Sequence, residues 1–281
     1  MLSYRHAYHA GNPADILKHY CFWRVLTYYT GKNKPFTIID THAGAGLYDL
    51  GSEQAQKNGE YRHGIARLRA SRNLSAELEQ FLHDIDNTLP HGDLYPGSPW
   101  LAAHLMREED RLHAYELHPG DYPHLVANLA ALKLGRRLRT SQDNGFKRLI
   151  GELPPPNRRA VILIDPPYED KNDYQTVFTT LIRAQKRFAQ GCYLIWYPCL
   201  QNPWSAAFAD ELREDFGDNY LHARLDTRAP SADGFGMHGS GMFILNPPWT
   251  LAADLEARLP ELAQLLAQDK HAHWQLDYNT P

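Results

Sequence analysis

The sequence predicts an α/β fold: a mostly parallel sheet of about seven strands, with helices on both faces and a small inserted helical subdomain. Two observations carry this prediction. Strand-like and helix-like segments alternate along 281 residues, of which 43% are apolar, enough to bury the core of one sizeable domain. One connection between strands is also too long for a simple crossover. Alternation of this kind places consecutive strands in parallel, with the connecting helices packed over the sheet.

The first predicted element is a helix over residues 13–30. Asn12 is a good N-cap, Pro13 suits the first helical position, and Gly31 stands where a left-handed residue would end the helix. An apolar run over residues 36–40 follows it and predicts a buried strand.

A turn that contains Gly44 and Gly46 comes after this strand and predicts the opening of a mononucleotide-binding fold. The next strand-like segment begins only at residue 112, which is far more chain than a helical crossover requires. We therefore predict a helical insertion at about residues 47–95 that contains a helix capped by Ser75.

The chain then returns to the sheet through a helix that Ser98 is predicted to cap, with Pro99 at its first position. Helical stretches separate most of the later strands. These strands are predicted at residues 112–117, 138–142, 161–165, 192–197, 221–226 and 242–246.

Composition excludes several classes of protein. Twenty-nine basic and 33 acidic side chains give a net charge of −4, so the chain is not a basic protein that coats nucleic acid, and RNA would need a local basic face. The three cysteines form no C-x-x-C pair, which fits a reducing compartment. No apolar run approaches the length of a membrane span. We expect a cytoplasmic protein that has no contact with a membrane.

Metal and hydrolase chemistry are also disfavoured. The sequence has 15 histidines, but it contains neither H-E-x-x-H nor a Cys/His cluster at ligand spacing, so no metal is expected. No G-x-S-x-G motif of a serine hydrolase occurs.

Candidate ligand-binding groups follow three of the predicted strands. Ligands of open α/β sheets bind outside the carboxyl ends of the strands. Asp40 and the glycine turn follow the first strand, Glu116 ends the second where it can accept both hydroxyls of a ribose, and residues 143–145 end the third. An ordinary turn and a solvated carboxylate remain the alternative interpretations of the first two.

The fourth strand ends in a more specific motif, since Asp165, Pro166, Pro167 and Tyr168 directly follow four aliphatic residues. The prolines cannot continue a ladder or a helix, so carbonyl groups stay free. The lone pair of an exocyclic amine is delocalised into its ring, so an enzyme that methylates it must accept both N–H hydrogens. We predict that Asp165 accepts one and the Pro166 carbonyl the other, while Tyr168 stacks on the base. A chance turn is the alternative.

A second motif of the same form as residues 165–168 occurs at residues 246–249, which are Asn-Pro-Pro-Trp. The motif at residues 165–168 resembles the D/N-P-P-Y/F/W class of S-adenosylmethionine-dependent amino methyltransferases. In the fold of that class the last strand is antiparallel, so its carboxyl end lies opposite the cofactor. We therefore assign the second match to structure, with Trp249 packed at the base of the sheet.

The first 35 residues combine basic and aromatic side chains, as single-stranded RNA recognition does. Much of this segment must pack on the sheet, however, and helical spacing leaves Lys18 and His19 as the better candidates for contacts. Its basic residues and histidines are Arg5, Lys18, Arg24, Lys32, Lys34, His6, His9 and His19.

Six short segments, taken together with the helical insertion, make a combination of motifs that is specific to one protein family. They are residues 3–19, 40–46, 95–99, 116–119, 165–168 and 246–249. Together they resemble the RlmJ family, bacterial methyltransferases of 23S ribosomal RNA that make N6-methyladenine, and the resemblance covers essentially the whole chain. It implies a Rossmann-like class I methyltransferase fold with S-adenosylmethionine as cofactor.

The resemblance also implies roles for single residues. Asp165, with Pro166 and Tyr168, would be catalytic, and Tyr4, His6 and Lys18 would lie on the side of the RNA substrate. The family's Asp-Gly at the adenine contact is Asn144-Gly145 here, so either Asn144 or the adjacent Asp143 would make that contact. The implied cofactor-binding residues are His19, His42, Gly44, Ser98, Glu116, Asn144, Gly145 and Asp165.

These observations predict a 23S ribosomal RNA adenine-N6 methyltransferase with a basic and aromatic segment at 1–35 and a methyltransferase domain at 36–281. We expect a monomer that acts before the ribosome is fully assembled. A DNA adenine-N6 methyltransferase is the nearest alternative. Such enzymes usually carry a sizeable basic target-recognition domain, whereas the insertion here carries both charge signs. A non-catalytic RNA-binding assembly factor on the same fold is another, and a nicotinamide oxidoreductase is a third that lacks a visible Tyr-x-x-x-Lys.

Overall fold

The computed structural model describes residues 4–280. Ser3, the first residue of the amino-terminal motif at 3–19, lies outside the described residues. The strands are β1 (Thr37–Asp40), β2 (Leu47–Asp49), β3 (Leu94–Pro96), β4 (Arg111–Glu116), β5 (Leu138–Gln142), β6 (Ala160–Ile164), β7 (Cys192–Cys199), β8 (Tyr220–Asp226), β9 (Gly239–Leu245) and β10 (His273–Asn279). The main sheet has the order β10-β8-β9-β7-β6-β1-β4-β5, and β2 pairs with β3 alone.

Helices connect most of these strands, as the alternation in the sequence predicted. They are α1 (Pro13–Thr30), α2 (Glu53–Asn58), α3 (Ile65–Ala70), α4 (Ala76–Asn87), α5 (Ser98–Leu105), α6 (Tyr122–Ala130), α7 (Gly145–Glu152), α8 (Lys171–Arg187), α9 (Pro203–Phe216) and α10 (Leu251–Leu266). Short 3-10 turns lie at His6–Tyr8, Glu60–His63 and Gly135–Arg137. None of the helices in residues 4–280 has the length and apolar character that crossing a membrane demands.

The sheet has one hydrophobic core on each face. Successive strand residues point to opposite faces, so Ile38 of β1 joins the core under α1, α5 and α10, while Ile39 joins the core under α7, α8 and α9. The aliphatic residues of β6 alternate in the same way, and all of β6 is buried. This double burial explains why the central strands read as continuous apolar runs.

The predicted α/β fold is confirmed, but the strand count was too low. The main sheet has eight strands, because β10 pairs antiparallel with β8 at the sheet edge. None of the seven residues of β10 is buried, so the segment lacks the apolar pattern by which a strand is identified. Only β9 and β10 run against the common direction of the other six strands.

Helix α1 begins as predicted and ends differently. Asn12 accepts a hydrogen bond from the Asp15 N–H at 2.9 Å, and Pro13 is the first helical residue. Gly31 does not adopt the left-handed conformation that we predicted, since its φ is −69°. Its N–H donates to the Thr27 carbonyl, which continues the helical pattern for one more residue.

The predicted insertion begins and ends on the antiparallel pair of β2 and β3, where Leu47 lies opposite Pro96. Helices α2, α3 and α4 lie between these strands. Ser75 stands at the N-cap of α4 in extended conformation, but its side chain makes no capping bond. The side-chain cap that we predicted is therefore not formed, although the Ser75 N–H donates to the Glu261 carboxylate of α10 at 2.8 Å and so ties the start of α4 to α10.

The second Pro-Pro motif lies at the opposite end of the sheet from Asp165, as predicted. Strand β9 is antiparallel, and Leu245 at its carboxyl end pairs with Tyr193 near the start of β7. The prediction that Trp249 packs at the base of the sheet was wrong, because this side chain is 72% exposed. Asn246 stabilises the turn instead by donating to the Ala189 and Gly191 carbonyls.

Phe81 joins the insertion to α1, and its ring lies 5.3 Å from that of Tyr20 and 5.5 Å from that of Trp23. The change Phe81→Ala should lower the free energy of unfolding by about 3–5 kcal/mol, because it leaves a cavity in a fully buried site. Urea denaturation measures the change, and Trp249→Ala on the exposed surface is the control, expected to stay within about 0.5 kcal/mol. Equal stabilities of the two variants would contradict this packing.

Candidate active site

A cavity opens at the carboxyl ends of β1, β4 and β6, where predicted site residues from distant parts of the sequence meet. Tyr4, His6 and Lys18, which we predicted on the substrate side, line it together with Pro166. All eight predicted cofactor-binding residues line the same cavity: His19, His42, Gly44, Ser98, Glu116, Asn144, Gly145 and Asp165.

The turn after β1 holds the Glu116 carboxylate. The Gly44 N–H donates to Glu116 Oε2 at 2.7 Å, and the His118 N–H donates to Oε1 at 2.6 Å. Gly44 has a φ of +59°, and a Cβ there would lie 2.1 Å from the Tyr48 hydroxyl, so no other residue fits this turn. Burial raises the pKa of Glu116. The fixed carboxylate keeps further lone pairs on both oxygens for the hydroxyls of a diol.

Ser98 binds Asp40 and does not cap α5 as predicted. The N-cap of α5 is Gly97, and the Ser98 hydroxyl, in the first turn of the helix, donates to Asp40 Oδ2 at 2.6 Å. Asp40 is completely buried at the end of β1, and burial raises its pKa to about 7. The hydroxyl therefore serves a side chain inside the site, which local sequence patterns do not reveal.

Two histidines in the cavity are neutral, since burial lowers the pKa of His19 and of His42 to about 3. His42 Nδ1 lies 2.8 Å from the Thr41 hydroxyl, which itself donates to the Leu163 carbonyl, so His42 donates from Nδ1. His19 Nδ1 lies 2.8 Å from the Tyr95 hydroxyl. The other ring nitrogen of His19 is buried and has no hydrogen-bond partner within residues 4–280. An unpaired polar atom at this depth points to a ligand that satisfies it.

The start of α7 forms another wall of the cavity. Asn144 caps the helix by accepting from the Lys147 N–H at 3.0 Å, and it lines the cavity. The Asp143 carboxylate is bound instead by Arg148 at 2.6 Å, and Asp143 is not among the lining residues. Of the two adjacent candidates, Asn144 therefore borders the cavity.

Hydrogen bonds connect the three predicted substrate-side residues to Asp165. The Tyr4 hydroxyl lies 2.9 Å from His6 Nδ1, and His6 Nε2 lies 2.9 Å from Asp15 Oδ2. Lys18 Nζ then bridges two carboxylates, at 2.7 Å from Asp15 Oδ1 and 2.7 Å from Asp165 Oδ2. One continuous polar chain therefore leads from the amino-terminal segment to the end of β6.

Asp15 and Lys18, at the centre of this series of hydrogen bonds, are both ionised. Burial alone would raise the pKa of Asp15, but His6 and Lys18 outweigh it and hold that pKa well below its usual value. Burial would likewise lower the pKa of Lys18, but Asp15 and Asp165 outweigh it and raise that pKa above the ordinary range. Lys18 is therefore held as an ammonium ion by the two carboxylates.

These contacts change the interpretation of the basic amino-terminal segment. Lys18 is only 4% exposed, so it does not offer a free charge to a phosphate. Arg5 is paired with Asp121 at 2.9 Å and Arg24 with Asp254 at 2.9 Å. Much of the positive charge in this segment is therefore neutralised within the chain, and the prediction of a basic patch formed by these residues is not supported.

The backbone after β6 places Asp165 between two cavities. Asp165 and Pro166 line the first cavity, whereas Tyr168 lines a second one that also contains Asp165 and Lys18. Tyr168 has a φ of +51° and is buried, and its hydroxyl donates to the Trp196 carbonyl at 2.7 Å. Its place in a packed aromatic cluster fixes the motif at the wall that the two cavities share.

Sequence reasoning missed several residues of the site. Asp15 and Trp196 line the second cavity, and Phe146 lines the first, where its ring lies 4.7 Å from that of His42. Asp15 shares a helical face with Lys18, and that spacing was the available signal. Within residues 4–280 no cluster of three or more His, Cys, Asp or Glu side chains is arranged to hold a metal ion.

Known proteins are similar to this chain in sequence and in fold. The model of the family described as "Ribosomal RNA large subunit methyltransferase D, RlmJ" matches residues 33–280. Proteins named "Ribosomal RNA large subunit methyltransferase J" are 42% identical in Escherichia coli K12 and 39% identical in Haemophilus influenzae Rd, with all of both chains covered in each case. The crystal structure of LPL1258 from Legionella pneumophila has a TM-score of 0.86 and 31% identity, over 96% of this chain and 98% of that one.

Gly145 provides a test of the cavity as a ligand site. A Cβ at this position would lie 1.9 Å from the Thr41 carbonyl oxygen, so α7 must move away from the turn after β1. We expect Gly145→Ala to weaken the binding of S-adenosylhomocysteine, measured by calorimetry, by about 10-fold or more, which is about 1.4 kcal/mol. Gly151→Ala in the same helix is the control, because nothing lies within 4 Å of its Cβ. Equal affinities of the two variants would place the ligand elsewhere.

Proposed function

Because the chain belongs to the RlmJ family of ribosomal RNA methyltransferases, we propose that it methylates N6 of one adenine in 23S ribosomal RNA. Membership makes the protein a ribosomal RNA methyltransferase that uses S-adenosylmethionine. The observation that carries the adenine assignment is the position of Asp165, at the wall between a cavity with cofactor-type groups and a second cavity with aromatic walls.

The residues of the first cavity fit S-adenosylmethionine. Glu116, fixed by two backbone N–H groups, suits the ribose hydroxyls, and the orphaned ring nitrogen of His19 suits the polar end of the methionine part. Asn144 and Phe146 suit the adenine ring. The cofactor supplies an electrophilic methyl group on a sulfonium. No metal is needed for this chemistry.

Asp165 and the Pro166 carbonyl would hold the two N–H hydrogens of the target amine, which localises the nitrogen lone pair toward the methyl group. Within residues 4–280, Lys18 donates to Asp165 and binds Oδ2, so Oδ1 can accept from the amine. As the nitrogen–carbon bond forms and the carbon–sulfur bond breaks, the amine must lose one proton. We propose that Asp165 Oδ1 receives this proton.

Tyr4, His6 and Lys18 would act on the RNA side by fixing Asp165. Their hydrogen-bond chain leads through Asp15 to Asp165 Oδ2, so the carboxylate meets the base in one orientation. Such preorganisation lowers the cost of reaching the reactive geometry.

Tyr168 would stack on the adenine after the base has left its own stack. Extrusion costs a few kcal/mol and costs least for a base that is already unstacked. This favours RNA that is not yet fully assembled into the ribosome as the substrate. We further propose that segment 1–35 and domain 36–281 work as one unit in a cytoplasmic monomer, because Lys18 from the first reaches Asp165 of the second.

Mass spectrometry of 23S ribosomal RNA, from cells with and without the gene, tests the proposal directly. One N6-methyladenine should disappear with the gene and return with a plasmid copy. Transfer of a labelled methyl group to deproteinised ribosomal RNA, compared with duplex DNA, separates the RNA enzyme from the DNA alternative. Labelling of DNA alone would overturn the RNA assignment, and an RNA modification profile that does not depend on the gene would favour a non-catalytic assembly factor.

Asp165→Ala should lower kcat for methyl transfer by at least about 100-fold, because the variant has no carboxylate to orient the amine or to accept its proton. Binding of S-adenosylhomocysteine, followed by calorimetry, should persist. Asp143→Asn is the matched control, since this carboxylate lies outside the cavity. Near-normal turnover in the Asp165 variant would rule out the mechanism.

Lys18→Gln should lower kcat by about 10-fold or more while the dependence of RNA affinity on salt stays unchanged, because the buried ammonium contacts carboxylates and not phosphates. Fluorescence anisotropy at several salt concentrations measures the slope. A decrease of about 0.7 per lost phosphate contact would show that Lys18 binds the RNA backbone after all. Lys18→Arg keeps the charge and serves where the glutamine variant does not fold.

A further inference from the structure

The second cavity continues away from Asp165 toward the surface, between the insertion and the connection from β8 to β9. The connection, residues 227–238, contributes Arg228, Gly236 and Met237 to the wall, and the insertion contributes Asn58 and His63. A base held at Asp165 would therefore leave the flanking RNA strand along this opening. We call the connection the β8–β9 loop.

The β8–β9 loop is held in a defined shape although it is exposed. Arg228 donates to the Met237 carbonyl at 2.8 Å, and the Asp233 carboxylate accepts from the Ser231 hydroxyl at 2.5 Å and from the Phe235 N–H at 3.0 Å. At its base, the Thr227 N–H donates to the His238 carbonyl. These contacts fix the tip of the loop beside the cavity.

Phe235 occupies that tip and is 78% exposed, the largest exposure among the big apolar side chains of residues 4–280. The next residue, Gly236, lines the cavity and lies against the Arg228 side chain. Keeping a phenylalanine in water forfeits the free energy of its burial. An aromatic ring on a shaped loop at the mouth of a base-binding cavity is the feature by which single-stranded nucleic acid is held through stacking.

Positive charge surrounds the same opening. His63 is exposed, and its pKa is lowered by partial burial and by the charges of Arg67, Arg228 and Arg62, so these groups lie close together. Arg67 is committed to the Ala267 carbonyl, whereas Arg62 is exposed. His63 Nδ1 accepts from Arg67 at 3.3 Å, so this ring is not a cation. We call Arg62 and Arg228 the cationic rim.

Hydrogen bonds hold the acidic side chains near the opening. Glu60 binds His9 and Asn12, and Asp269 accepts from the backbone N–H groups of Ala229 and His271. These bonds orient the carboxylates without cancelling their charge, so the cationic rim offers two local guanidinium groups that can bind a phosphate.

We propose that the RNA strand beside the target adenine crosses the cationic rim, with Phe235 stacked on a neighbouring base and Arg62 on a backbone phosphate. This inference rests on the proposed function, because it assigns a path to the RNA whose adenine is held at Asp165. Phe235 is then a determinant of substrate affinity and of the bases that flank the target.

Phe235→Ala tests the stacking contact. With deproteinised 23S ribosomal RNA as substrate, kcat/KM should fall about 5- to 150-fold, mainly through KM, which is the range that loss of one stacked base produces. Phe235→Tyr should stay near the wild-type value, and the affinity for S-adenosylhomocysteine should not change in either variant. Trp249→Ala, which removes an equally exposed aromatic ring at the opposite end of the sheet, is the matched control.

Arg62→Gln tests the phosphate contact, and the slope of RNA affinity against salt should fall by about 0.7. Lys186→Gln, at a cavity beside Asn246 on the far end of the sheet, should leave the slope unchanged. A wild-type KM in Phe235→Ala together with a wild-type slope in Arg62→Gln would overturn the inference while the methylation itself stands. Absence of methyl transfer by the wild-type protein would instead overturn the proposed function.

Discussion

The buried bridge of Lys18 between Asp15 and Asp165 is the interaction on which the site depends. It joins the first helix of the chain to the end of β6, which lies 147 residues further along the sequence. Charges buried this deeply are costly unless each one is paired and hydrogen-bonded. Here both lengths are 2.7 Å, and Asp15 also accepts from the Gly11 N–H and lies 2.9 Å from His6 Nε2. The bridge therefore sets the position of the amino-terminal segment and the orientation of Asp165 together.

This constraint explains why one Pro-Pro motif can be catalytic and the other structural. Asp165 lies at the end of a parallel strand, beside a neutral histidine pair, a fixed Glu116 and the Lys18 ammonium. Asn246 ends an antiparallel strand at the other edge, and its amide donates to two backbone carbonyls. Of these two similar motifs, only the one after the parallel strand therefore lies at the end of the sheet where the residues of the first cavity meet.

Much of the fold and of the first cavity could be predicted, because both depend on patterns within a few residues. Continuous apolar runs mark the doubly buried strands, and polar groups directly after them must meet at one edge of a parallel sheet. The rest depends on contacts between distant segments. No local signal predicts the bond of Ser98 to Asp40, the pairing of Lys18 with Asp165 or the exposure of Trp249. Strand β10 lacks such a signal because none of its residues is buried at the edge of the sheet.

The placement of charge carries the largest revision. A chain of net charge −4 needs a local cationic surface to attract RNA, and the amino-terminal segment was the place where the sequence concentrated it. Ion pairs within the chain consume the charges of Arg5, Lys18 and Arg24. The pairs of Arg5 and Lys18 join the segment to residues that line the first cavity, whereas the pair of Arg24 joins α1 to α10. Lys32 and Lys34 are exposed but follow the far end of α1. We therefore propose that RNA is attracted by the cations that the fold leaves exposed at the mouth of the second cavity, which come from two segments separated by more than half of the sequence.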